Sequence, residues 1–234
     1  MDIHVPNEPV MTWKQFFVHM AIVVLGVLIA IALEQTVEWM HHRHQLHELR
    51  EGLNQDAQKA MRDADSVIAA QTAIAANIHE NALAARDAAQ NHKTFQPQRG
   101  PRVQWEIPSD PAWKAAKASG LVSLLRPDEV QAFGEIDSMI DLSDHSVNDA
   151  IAASENLNAV VGQFQSNGHS DYSSATPEEL RQIATLAEHQ RAARLTWVRM
   201  ATQLKGAERA ILAGDRDLER IERAEQAELD KPSK

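Results

Sequence analysis

Between Phe16 and Leu33 the chain contains eighteen consecutive residues, FFVHMAIVVLGVLIAIAL, with a single His and no formally charged side chain. At about 1.5 Å per residue, a helix of this length covers about 27 Å, close to the roughly 30 Å hydrocarbon core of a bilayer. A soluble helix that is apolar on every face is uncommon. The pattern therefore predicts a transmembrane helix, which occupies 13–40 when its interfacial ends are included.

Two tryptophans bracket this segment and are predicted to anchor it at the two interfaces. Trp13 and Trp39 are 26 residues apart, roughly 39 Å along a helix, which matches the separation of the two headgroup layers that indole rings prefer. A cleavable signal peptide is the alternative, because Ala30-Ile31-Ala32 resembles an A-x-A cleavage site. The apolar segment is longer than the usual 7–15 residues or so of a signal peptide. We therefore expect the helix to be retained.

The charges beside the segment predict its orientation. Lys14 and the amino group of the chain precede it, and Arg43 is the only Lys or Arg within about 15 residues after it. The tail 1–12 is short, and most of the chain follows the segment. These features favour a signal-anchor whose C-terminal domain lies on the far side of the membrane.

Apolar residues recur every three or four positions through most of the remaining chain, which is the pattern of amphipathic helices. The stripes cover 46–85 with a gap at Gln71, 130–164, and 180–211 with interruptions at Gln190 and Arg194. The first stripe follows directly on the apolar segment, so it predicts one helix from about Trp13 to beyond Ala85. Helices of this kind must bury their stripes against one another.

Proline, glycine and capping residues predict where these helices begin and end. Pro111, Pro127 and Pro177 are expected in first helical turns, and Gly120 is expected to end a short helix that begins at Pro111. Thr176-Pro177-Glu178-Glu179 combines an N-cap, a Pro at the first position and a Glu at the third, which is a capping box.

Two segments differ from this pattern. Val103–Ile107, with the sequence VQWEI, alternates apolar and polar residues and predicts a short extended piece across the bundle. After Gly214 the chain is rich in charges of both signs, so 215–234 is predicted to be a charged helical tail.

These elements define the predicted fold, which is all-α. One N-terminal transmembrane helix continues into an elongated helical bundle of three long helices plus one short helix. The predicted domains are a tail at 1–12, the transmembrane helix at 13–40, an extramembrane helical domain at 41–214 and the C-terminal tail at 215–234.

Composition supports this fold and excludes some functions. The 234 residues include 36 Ala but only nine Gly and nine Pro, which favours long helices. A net charge of −10 argues against nucleic acid as a partner, because such binding needs clustered Lys and Arg. The absence of Cys excludes disulfides, thiol nucleophiles and Cys-ligated metals.

The sequence contains no catalytic signature such as G-x-S-x-G, H-E-x-x-H or a glycine-rich phosphate loop. We therefore predict that the protein is not an enzyme and has no catalytic, cofactor or metal site. One metal alternative stays open, because His41, His44 and Glu48 fall on one helix face just past the apolar segment. The other interpretation of this histidine-rich collar is that its His and Arg side chains contact lipid phosphates.

Three residues inside the apolar segment predict contact with another membrane helix. Gly26 and Ala30 form a small-x-x-x-small pair, which lets two helices approach closely. His19 is a polar residue within the segment, and interhelical or interfacial hydrogen bonding is the role we expect for it.

Two stretches resemble a group of uncharacterised bacterial single-pass membrane proteins with an N-terminal span and a helical extramembrane domain. The first is TWKQFFVHMAIVVLGVLIAIALEQTVEWMHHRHQL, from Thr12 to Leu46, and the second is PAWKAAKASGLVSLL, from Pro111 to Leu125. The resemblance implies a location in the bacterial envelope. Combined with the orientation expected from the flanking charges, it predicts a bacterial inner-membrane protein whose C-terminal domain lies in the periplasm. The resemblance implies no activity and assigns no functional residue.

Together these features predict a structural or interaction role, as an accessory or scaffold subunit of a larger membrane assembly. The expected partners are the lipid bilayer and other membrane-protein subunits, or a second copy bound through the transmembrane helix. The alternative is a sensory or ligand-binding helical bundle that acts through a partner.

Overall fold

The computed structural model of the protein describes residues 13–101, 108–166 and 169–231. Five α-helices account for most of these residues: α1 (Trp13–Asn91), α2 (Pro111–Ser119), α3 (Pro127–Val161), α4 (Pro177–Leu212) and α5 (Leu218–Leu229). Short 3-10 turns lie at Leu121–Leu124 and Gly162–Phe164. Two antiparallel strands of two residues, β1 (Gln165–Ser166) and β2 (His169–Ser170), pair Gln165 with Ser170 and Ser166 with His169.

The all-α fold class is confirmed, including the three long helices and the short one. The first helix extends from Trp13 to Asn91, as its continuous pattern predicted. It ends where His92 adopts a positive φ of 49°. The tail 1–12 and the extended piece predicted at Val103–Ile107 lie outside the described residues.

The predicted helix boundaries are also confirmed. Pro111, Pro127 and Pro177 are the first residues of α2, α3 and α4. The capping box at α4 is formed: the Glu179 amide donates to Thr176 Oγ1 at 3.3 Å, and the Thr176 amide donates to Glu179 Oε2 at 2.7 Å. Gly120 ends α2 with a φ of 77°, a conformation that suits glycine.

The chain divides into two compact units, Met1–Glu48 and Leu49–Lys234. The second unit holds the buried core. Its centre includes Trp197 of α4, which packs with Val67 of α1, Val147 of α3 and Ala201. Much of the core on α1 is Ala, and such small side chains let helices approach closely. The buried alanines of α1 are Ala57, Ala60, Ala64, Ala75, Ala82, Ala85, Ala88 and Ala89.

The charged segment after Gly214 forms α5, and this helix packs against α4. Ile221 of α5 is completely buried. Gly206 of α4 makes this close packing possible, because a Cβ at this position would lie 2.7 Å from the Ala224 carbonyl oxygen and from the Glu225 Cα. The second unit therefore includes a fifth helix, which is held on α4 by apolar burial and close backbone packing.

Candidate functional site

The apolar part of α1 is exposed on all sides within the described chain. None of the residues in its most apolar 18-residue window is buried, and α1 is the one described helix long and apolar enough to cross a membrane. Thirteen large apolar side chains between Phe16 and Leu33 are each 44–64% exposed. Such a surface needs a covering that the described chain does not provide.

Aromatic residues lie at both ends of this segment. At the N-terminal end, the Trp13 ring centroid is 5.8 Å from that of Phe16 and 5.5 Å from that of Phe17. At the other end, the guanidinium carbon of Arg43 lies 5.4 Å from the centroid of the Trp39 ring. Both tryptophans are exposed.

The three residues predicted to contact another membrane helix share one face of α1. At 3.6 residues per turn, His19, Gly26 and Ala30 fall within about 40° of one another around the axis. His19 Nδ1 is 2.9 Å from the carbonyl oxygen of Gln15, so the ring bonds within its own helix when Nδ1 carries the proton. A Cβ added at Gly26 would meet no described atom within 4 Å. The face is thus open to another helix.

The histidine-rich collar does not bring the three candidate metal ligands together. His44 Nε2 lies 3.1 Å from Glu48 Oε1, and both side chains are more than 60% exposed. The ring of His41 instead lies against that of His42, with centroids 6.5 Å apart. Within 13–101, 108–166 and 169–231, no group of three or more His, Asp or Glu residues is placed to hold a metal ion.

A buried polar cluster joins the three long helices of the second unit. Arg194 of α4, only 1% exposed, donates from Nη1 to Gln71 Oε1 of α1 at 2.5 Å and from Nη2 to Ser154 Oγ of α3 at 3.3 Å. Gln190 Nε2 also donates to Ser154 Oγ, at 2.7 Å. Burial lowers the pKa of the Arg194 guanidinium.

This cluster corrects the interpretation of the apolar stripes. The sequence pattern treated Gln71, Gln190 and Arg194 as places where the stripes are interrupted. All three are buried; Gln71 accepts a hydrogen bond from Arg194, while Arg194 and Gln190 both donate to Ser154. The sequence did contain a signal for the contact between Gln71 and Arg194, because a polar residue interrupts the apolar stripe of α1 and another interrupts that of α4. The pattern alone did not show that these two polar residues would face each other.

A second buried cluster is acidic, and sequence reasoning missed it. Glu208 of α4 is only 4% exposed. Burial, together with the nearby carboxylates of Asp110 and Asp56, raises its pKa from 4.5 to about 8. Asp110 is also buried, and burial raises its pKa although Lys114 Nζ lies 3.0 Å from Oδ1. Glu208 is therefore protonated at neutral pH.

Glu228 of α5 lies among the cations of α4 and the chain end. Lys205 Nζ lies 3.2 Å from Glu228 Oε1 and 2.5 Å from Asp65 Oδ1 of α1, while Arg209 and Lys231 also pair with Glu228. Burial raises the pKa of Glu228, but hydrogen bonds from Lys231, Arg209 and Lys205 outweigh it and bring the pKa to about 2. This group holds α5 on α4 by charge.

Arg50 and Glu129 connect the beginning of α3 to α1. Arg50 donates from Nε to Glu129 Oε1 at 2.9 Å and from Nη2 to Oε2 at 2.8 Å. The backbone amide of Arg126 also donates to Glu129 Oε2, at 3.0 Å. A two-point contact of this kind fixes orientation as well as distance, so its role here is to position helices.

Comparison with family models, with curated proteins and with solved structures found no match to this chain.

Proposed function

We propose that this chain is a single-pass membrane-anchored helical protein with a structural or interaction role, as an accessory or scaffold subunit of a larger membrane assembly. The proposal includes the bacterial inner membrane as its location and the periplasm as the compartment of the bundle. The charge distribution beside the apolar segment and the resemblance described above support these two points.

The observation that carries the proposal is the exposure of the apolar segment. Fully burying a large apolar side chain stabilises by about 1.5–3 kcal/mol. Thirteen such side chains that are about half exposed would therefore cost on the order of 10–20 kcal/mol in water. A bilayer removes that cost, and the aromatic residues at the two ends of the segment suit its interfaces.

The open face of α1 supports the interaction role. Lipid tails are as apolar as leucine, so helices associate in a membrane where small residues allow close packing. His19, Gly26 and Ala30 give α1 one face that combines small residues with a polar group. A second copy of this helix, or a helix of another subunit, is the partner proposed for that face.

The membrane anchor is tested by replacing Leu25 with Arg at the centre of the segment. An Arg there costs about 2.5–3.5 kcal/mol of insertion free energy. We expect the parent to remain in the membrane pellet during alkaline carbonate extraction and a large part of the Leu25→Arg protein to move to the supernatant.

Leu142→Arg is the matched control for this experiment. Leu142 of α3 is 58% exposed, the same as Leu25, but it lies outside the apolar segment. We expect Leu142→Arg to stay in the pellet with the parent. If the parent itself is extracted by carbonate, the membrane anchor is wrong.

The interaction role is tested by replacing Gly26 with Leu. A Cβ at this position meets no described atom within 4 Å, but a leucine side chain would separate two helices that pack closely at Gly26. We expect the parent to leave the membrane in mild detergent as an oligomer or complex, and Gly26→Leu to shift its mass toward that of a monomer by light scattering.

Gly134→Leu serves as the control, because a Cβ at Gly134 of α3 also meets no described atom within 4 Å. This variant should keep the parental mass. A parent that is a monodisperse monomer without a co-purifying protein would contradict the scaffold role and favour the sensory or ligand-binding alternative.

A further inference from the structure

Charges around α1 just past the apolar segment are separated onto two opposite faces. At 3.6 residues per turn, Trp39, Arg43 and His47 lie within about 80° of one another around the helix axis. The carboxylates of this stretch, Glu34, Glu38 and Glu48, are centred about 180° away. His41 and His44 fall on the acidic side, where His44 pairs with Glu48.

Arg43 is placed to act at the level of the membrane interface. Helical side chains lean toward the N-terminus of the helix, so Arg43 reaches back by about one turn toward the apolar segment. Its guanidinium carbon consequently lies 5.4 Å from the Trp39 ring centroid, within the range of a cation–π contact. Trp39 is about 39 Å from Trp13 along the helix. This distance is close to the thickness of a bilayer with its headgroups, so Trp39 lies at the level of the headgroup layer opposite Trp13.

We propose that Trp39 and Arg43, flanked by His47, bind the phosphate of an anionic lipid headgroup. This inference rests on the membrane anchor proposed above and names the lipid chemistry that it recognises. Arg43 supplies a permanent cation with hydrogen-bond donors suited to phosphate, and Trp39 holds the guanidinium at the interface. No carboxylate of the 34–48 stretch lies on this face to compete for Arg43.

The net charge of the protein makes a local cation necessary for such recognition. With a formal charge of −10, the chain as a whole is repelled by an anionic membrane surface. The face that carries Trp39, Arg43 and His47 would present a cation to one bound headgroup, while the carboxylates of this stretch lie on the opposite side of the helix.

The test is a competition between two lipids for the purified full-length protein. The protein in detergent is mixed with equimolar phosphatidylglycerol and phosphatidylcholine, and the first bound lipid is identified by native mass spectrometry. We expect about a fivefold preference for phosphatidylglycerol, which corresponds to about 1 kcal/mol for one cation at a membrane surface, and a ratio near one for Arg43→Gln.

A charge-relocation variant distinguishes a defined site from general attraction. Arg43→Gln combined with His44→Arg keeps one Arg in the collar but moves it onto the acidic face, about 100° around the helix. We expect this variant to show no preference, like Arg43→Gln. A relocated Arg that restores the parental preference would overturn the proposal, and so would a parent that binds both lipids equally.

Two further results separate the possible causes of failure. Inorganic phosphate in excess should leave bound phosphatidylglycerol in place, and its complete displacement by phosphate would show that the site takes a free anion instead of a lipid. Failure of the membrane anchor would be seen in carbonate extraction of the parent, whereas a wrong headgroup site would leave the parent in the membrane without lipid preference.

Discussion

Replacing Glu208 by Gln is expected to stabilise the protein strongly at pH 8 and hardly at all at pH 4.5. In the folded protein the pKa of Glu208 is raised from 4.5 to about 8, first by burial and then by Asp110 and Asp56. Between these two values the folded chain keeps a proton that the unfolded chain has lost. The free energy of unfolding therefore falls as the pH rises through this window, by about 1.4 kcal/mol per unit.

Over the whole window this loss amounts to roughly 4–5 kcal/mol, and Gln cannot ionise and so avoids it. Chemical unfolding of the full chain in detergent, followed by far-UV circular dichroism at a series of pH values, measures the difference between Glu208→Gln and the parent. Glu155→Gln, a change at an exposed position of α3, is the control and should follow the parental curve. Parallel curves for Glu208→Gln and the parent would contradict the raised pKa.

Replacing Gly206 by Leu is expected to detach α5 from α4. A Cβ at Gly206 would lie 2.7 Å from backbone atoms of Ala224 and Glu225, and a backbone cannot move aside as a flexible side chain can. Detachment exposes Ile221, at a cost of about 1.5–3 kcal/mol, and breaks the charged hydrogen bonds to Glu228, which contribute about 1.5–3 kcal/mol. We expect a total loss of roughly 3–6 kcal/mol.

Hydrogen exchange followed by mass spectrometry locates this effect. The amides of α5 should be protected in the parent and exchange rapidly in Gly206→Leu, while those of α3 change little. Gly134→Leu is the control. Its Cβ meets no described atom within 4 Å, so we expect this variant to be slightly more stable than the parent, because Leu favours a helix over Gly by less than about 1 kcal/mol. Unchanged protection of α5 in Gly206→Leu would show that the contact is not tight.

The helices were predictable because their signals are local. The apolar segment at 16–33, the prolines that begin α2, α3 and α4, and the capping box at Thr176 each depend on a few neighbouring residues. The sequence also placed Trp13 and Trp39 at the ends of the segment, because the distance along a single helix follows from residue spacing.

Contacts between distant residues were not predictable in the same way. Gln71 and Arg194 are 123 positions apart. A polar residue within an apolar stripe does not indicate which polar residue of another helix it will contact. Asp110, at the start of a short helix, and Glu208, near the end of a long one, each look like an ordinary surface acid in sequence. Both are buried only in the folded protein, and this burial raises their pKa values.

Gly206 shows a further limit of sequence patterns. Its importance depends on how closely the backbone of α5 approaches, and a pattern of apolar and polar residues carries no information about that distance. Ile221 was missed for the same reason. It is a single apolar residue among the charges of the C-terminal segment, and it is buried only because α5 lies directly on α4.

The buried cluster of Gln71, Ser154, Gln190 and Arg194 has a consequence for helix register. Alanines along α1 offer similar surfaces at successive turns, so sliding α1 by one turn, about 5.4 Å, exchanges one small side chain for another. The polar cluster occurs at one level only. A slip would place Arg194 opposite Val67 or Ala75 and leave a buried guanidinium and a buried amide apart, at a cost of several kcal/mol. The residues that break the apolar pattern thereby select one alignment of the three helices over its neighbours one turn away.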